Sequence, residues 1–146
     1  MPYTSKLSSL SIGNKIIDAE HRALNGIVDD LTQMIMFNHD VAVKVSFNLL
    51  YDRLRDYSAK EAELARAVNF AFATHHQAHQ HLLQQIRMIQ DRLENQKGFR
   101  SQLERKNCIE ALKACLLQHI SVESKEIKKV LDTYPYDFNP VSSRPV

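Results

Sequence analysis

Apolar positions along this chain recur at alternating steps of three and four, the spacing that gathers side chains on one face of a helix. Four such stripes follow one another. The first is Ile17, His21, Leu24, Val28, Leu31 and Ile35; the second is Val43, Phe47, Leu50, Leu54, Tyr57, Glu61, Leu64 and Val68. The third runs through Phe72, His75, His79, Leu82, Ile86, Ile89 and Leu93, and the fourth through Ile109, Leu112, Leu116, His119, Glu123, Ile127 and Val130. Polar breaks separate them. Asn14 predicts a cap for a first helix reaching about Phe37, and Asp40, after Asn38-His39, a cap for the second. The second helix is expected to end near Val68-Asn69 and the third near Gly98, a residue that commonly terminates helices. Ser101-Gln102-Leu103-Glu104 has capping-box form and opens a fourth helix running to about Asp132. Connections this short favour antiparallel neighbours, hence an all-α, up-down-up-down antiparallel four-helix bundle. The expected organisation is an N-terminal arm over 1–13, the bundle over 14–132, and a docked or loose tail over 133–146.

Composition agrees with one helical domain. Only three glycines and four prolines interrupt 146 residues, and three of those prolines lie in the tail. The 44% hydrophobic and 25% charged content is that of a chain with a real core. No apolar run is long enough to span a membrane. The opening Met-Pro-Tyr-Thr-Ser-Lys lacks an apolar signal core, so a cytoplasmic location is expected. Nineteen basic residues against seventeen acidic ones, interspersed, argue against nucleic acid or an anionic membrane as partner. Cys108 and Cys115 lie seven apart on one helix, too far for a bridge, and read as reduced packing thiols.

The chemistry lies in the polar members of the stripes. His21, Glu61, His75, His79, His119 and Glu123 all occupy inward positions, whereas His39, His76 and His81 fall outside them. At about 1.5 Å per residue, the six come to roughly 8–20 Å from the same end of an up-down bundle. The rest of each stripe is apolar. A buried carboxylate without a partner costs several kcal/mol, and neutral imidazole plus carboxylate is a common metal-binding set. Each residue alone has a plainer reading. A stripe histidine is often a hydrogen-bonded core residue, Glu61 a satisfied buried acid or a surface residue, and Tyr57 a core ring with its hydroxyl bonded. The shared depth favours a metal site. Charged residues off the stripes are expected to form a solvated surface.

The run Ile12-Gly13-Asn14-Lys15-Ile16-Ile17-Asp18-Ala19-Glu20-His21 resembles the opening of hemerythrins, the hemerythrin-like proteins of bacteria included, where the histidine of an Ile-Asp-x-x-His run binds iron. His75-x-x-x-His79 resembles their third-helix ligand pair, and Leu117-Gln118-His119-Ile120 their fourth-helix motif. The resemblance covers about residues 10–131. It implies two non-haem iron ions held by histidines and bridging carboxylates, with an open position for oxygen. This chain departs from the pattern at two places. Tyr57-x-x-x-Glu61 stands where the family has His-x-x-x-Glu; Asp56 and Lys60, the strict count, face away from the core. The fourth-helix aspartate position is Ser124, so Glu123 is expected to take over, a form similar to hemerythrin-like proteins of iron handling and nitric-oxide stress. The usual early tryptophan is absent. Tyr57 then stands as a metal ligand, a hydrogen-bond donor to a bound ligand, or a space-filler.

Three functions follow as expectations. The first is binding of a small diatomic ligand, oxygen or nitric oxide, for sensing or redox protection, with any signalling carried by a separate protein. The second is a diiron redox enzyme acting on peroxide or nitric oxide. The third is a degenerate zinc-binding or metal-free helical interaction module. One iron or zinc on His75, His79 and His119 is the alternative to two irons. A ferritin-like centre needs Glu-x-x-His on two helices, and no glutamate precedes any histidine here by three.

Overall fold

The computed structural model describes residues 11–37, 39–71, 73–95 and 101–140, without the side chains of residues 40, 73–74, 94–95 and 122–124. Helix α1 spans Lys15–Met36, α2 Asp40–Ala67, α3 Ala73–Asn95 and α4 Gln102–Gln118; a π turn, His119–Glu123, joins α4 to α5, Ser124–Leu131. The last three pieces make up the expected fourth helix. No strand occurs among the described residues.

Local chemistry sets the ends. Asn14 is extended, and its side chain accepts from the N–H groups of Ile16 and Ile17. Asp40 does not cap α2. The cap position is His39, with no side-chain capping bond. The end of α1 curls back until His39 N–H reaches Met34 O at 3.0 Å, so helical geometry restarts at Asp40 itself. After α2, Asn69 takes a left-handed conformation, φ 59°, which asparagine tolerates better than most side chains. Ser101 Oγ accepts from Glu104 N–H at 3.1 Å, as its spacing implies. Gly98, the expected stop of the third helix, and Phe72, on the third stripe, lie outside the described residues.

The stripes form the core. Every stripe position of α1 and α2 is buried, including Tyr57 and Glu61. On α3 Ile89 is half-buried. Past the π turn Val130 is also half-buried, and Leu131 takes the inner position instead. The expectation of one uninterrupted α-helix is corrected here: a π turn, closing i→i+5 bonds, interrupts it after Gln118, and Ile127 beyond the turn keeps its expected buried position.

Successive helices meet with opposite chain sense. Ser46 reaches Met34 while Tyr57 reaches His21. Ser58 meets His79 while Glu61 meets His75. His119 neighbours His75 and His79, while Cys115 and Leu82 line one cavity further along. Helix α1 also packs on α4, closing the bundle.

The described part of the tail docks. Asn14 Nδ2 donates to Phe138 O at 3.0 Å, Lys15 N–H donates to Tyr136 O at 2.8 Å, and Tyr134 and Phe138 pack against the core. The arm is anchored too, with Ile12 buried and Asp18 accepting from Ile12 N–H and Ser11 Oγ. Asp18 and Glu20 therefore do not belong to a solvated surface. Both are buried, Asp18 by the arm, and Glu20 beneath Arg53 at 3.1 Å and Lys60 at 2.5 Å. No described helix is long and apolar enough to cross a membrane.

Candidate metal centre

One helical turn separates His75 from His79 on α3, and Tyr57 from Glu61 on α2, so each pair presents two neighbouring groups on one face. Both pairs point inward. Glu61 is fully buried, and His75 and His79 are 4% and 3% exposed. Glu61 Oε1 contacts His75 Nε2 and stands 3.7 Å from His79 Nε2. His119 arrives from the junction of α4 with the π turn. Its ring centroid is 4.7 Å from that of His79 and 5.9 Å from that of His75. Nitrogen atoms of the three imidazoles lie within 4.8 Å of one another. Two nitrogens bound to one ion at about 2.1 Å can be no more than about 4.2 Å apart. Small side-chain rotations would therefore close this trio on a single ion.

His119 Nε2 is buried without a hydrogen-bond partner among the described residues. Leaving such an atom unsatisfied costs about 1–3 kcal/mol, and coordination would satisfy it. The residues present thus fit a metal ion.

His21 joins the same buried network by another route. Its Nε2 is 3.1 Å from the Tyr57 hydroxyl, which also helps to lower the pKa of Glu61. His21 Nδ1 is buried without a hydrogen-bond partner among the described residues. The Tyr57 ring lies 5.4 Å from His79 and 6.0 Å from His119, between His21 and the trio. The structure thus brings His21, Tyr57, Glu61, His75, His79 and His119 together, with His21 outside the three-histidine group. Glu123 falls in the π turn, and its side chain lies outside the described residues. Asp56 and Lys60 are exposed, whereas Tyr57 and Glu61 are buried. His39, His76 and His81 are exposed.

Burial sets the protonation of the imidazoles. It lowers His79 to about 4 and His119 to about 3, and it lowers His21 as well, although Glu61 pulls each of them upward. Neutral rings at neutral pH are what coordination requires. For Glu61, burial pushes upward, but hydrogen bonding from His75, the fields of His75 and His79 and the Tyr57 hydroxyl together outweigh it. Its carboxyl is held at about 2, hence anionic. Burial raises the Cys108 and Cys115 thiols to about 11, which leaves little thiolate at neutral pH and slows their reactions.

One contributor lies off every stripe. Ser58 Oγ is 2.6 Å from His79 Nδ1, and Ser58 is only half-buried. Periodicity along α2 gives no signal for it, because its partner is on α3.

Fold and site define a helical bundle with a buried cluster of three histidines able to hold a metal ion, beside a buried carboxylate. No family model, curated protein or solved structure matches this chain.

Proposed function

We propose that this chain is a hemerythrin-like, non-haem diiron protein that binds a small diatomic ligand, oxygen or nitric oxide, in sensing or redox protection. The observation that carries the reading is the convergence of His75, His79 and His119 beside the buried Glu61 carboxylate. These residues would hold one iron. His21, Glu61 and Glu123 would hold the other, with Tyr57 beside them. Bound iron would supply a redox-active centre with a coordination position for the ligand. The protein's own part is to keep the His21, His79 and His119 imidazoles neutral, to supply the Glu61 charge, and to place the Tyr57 hydroxyl as a hydrogen-bond donor. A sensor of this kind would act in the cytoplasm through a separate signalling protein.

A second reading has one iron or zinc on the three-histidine cluster alone. It is favoured by the distance of 3.1 Å between His21 Nε2 and the Tyr57 hydroxyl, which gives that nitrogen a partner other than a metal. Metal content per chain, with optical spectra in air and after reduction, separates the two. Two irons with visible absorption that reduction bleaches are expected, and His79→Ala should lose metal. One zinc or no metal after iron reconstitution would overturn the diiron reading.

A further inference from the structure

We propose that the groove between α3 and α4 is the port through which a small uncharged ligand reaches the centre, and that its small volume suits a ligand of a few atoms. The inference rests on the ligand-binding reading above. A cavity of about 80 Å³ opens in this groove. Its lining changes from wet to dry. His81 and Gln118 are exposed, Ala78 and Gln85 half-buried, and Leu82, Cys115 and His119 buried. The cavity therefore leads from solvent to the edge of His119, the one member of the histidine trio that lines it. Cys115 Sγ donates to Leu112 O at 3.2 Å within its own helix, so its thiol is engaged there and this wall offers a passing molecule only weak polarity.

Size gives the chemical class. A cavity this small has room for only a few water-sized groups, so it suits a ligand of a few heavy atoms. Pockets for larger organic ligands start near 300 Å³. A second cavity, of about 150 Å³ near Gln33, Met34 and Phe37, touches none of the site residues. It lies by the end of α1 remote from His21.

The test fills the port from either wall. Iron-loaded, reduced wild type, Ala78→Leu and Cys115→Leu are mixed with nitric oxide in a stopped-flow instrument, and the iron content of each is measured. Both variants should keep their iron and bind nitric oxide about tenfold or more slowly, within the one to three decades by which association rates vary among variants of one site. The metal-free protein gives a second readout. Methyl methanethiosulfonate should modify Cys115 faster than Cys108, which does not line the cavity, and Ala78→Leu should remove that preference. Wild-type binding rates in both iron-loaded variants, or equal labelling of the two thiols in the wild type, would overturn the port. Wild type that takes up no iron would instead overturn the reading on which the port rests.

Discussion

At the scale of single residues, the centre depends on groups that aim and protonate the imidazoles. Ser58 Oγ, 2.6 Å from His79 Nδ1, can accept a hydrogen bond from Nδ1–H, the tautomer that leaves the Nε2 lone pair facing the trio. Loss of such an orienting partner commonly costs 10–100-fold in metal affinity. Ser58→Ala should weaken zinc or cobalt binding by about that factor in chelator competition, and Ser58→Thr should restore it. An unchanged affinity would make Ser58 a bystander. Tyr57 is a different case, because its hydroxyl is the partner of His21 Nε2 and helps to keep Glu61 ionised. Tyr57→Phe should leave metal content intact, lower the thermal midpoint, and alter the optical spectrum of the loaded protein. The stability cost is about 1–3 kcal/mol, the price of stranding buried polar partners. Metal loss in Tyr57→Phe would make the phenol a ligand.

Among the elements, the start of α1 has two attachments. Asn14 caps the first turn through its oxygen and holds the tail through Nδ2 on Phe138 O. Asn14→Ala should cost about 1–2 kcal/mol in a urea titration. Asn14→Asp keeps the capping oxygen and removes the donor, so it should recover most of that loss while loosening the tail. Equal destabilisation by both variants would shift the weight from the cap to the tail contact. The π turn is the other element of consequence. It begins at His119, and beyond it Ile127 and Leu131 are buried in the core. Insertions of this kind concentrate at functional sites. Here one immediately follows the helix that positions the last imidazole of the trio.

For the molecule as a whole, the buried titratable groups couple the site to folding. His79 and His119 have folded pKa values below the ordinary 6.5, at about 4 and about 3, so the unfolded chain takes up protons that the folded chain refuses. Their contribution is fully present above about pH 6.5 and is lost as the pH falls toward those values. Glu61, at about 2 against an ordinary 4.5, adds a loss of the same sign at lower pH. Metal-free protein should therefore show urea midpoints that decline from pH 7.5 through 6 to 5, at about 1 kcal/mol per pH unit for each titrating histidine. A midpoint that stays flat or rises on acidification would contradict the buried neutral histidines.

Periodicity within the sequence was enough to determine the helices, the inward faces and the depth shared by His21, Glu61, His75, His79 and His119, because burial repeats along a single helix with that helix's own period. It could not determine what meets across helices. Ser58 finds His79 from another element; Arg53 and Lys60 bury the charge of Glu20 from α2; the arm buries Asp18; the tail docks on Asn14. The π turn and the groove beside His119 also belong to the tertiary structure. The spacing of three and four assumes an unbroken α-helix, and a cavity exists only where side chains from two helices fail to fill the space between them.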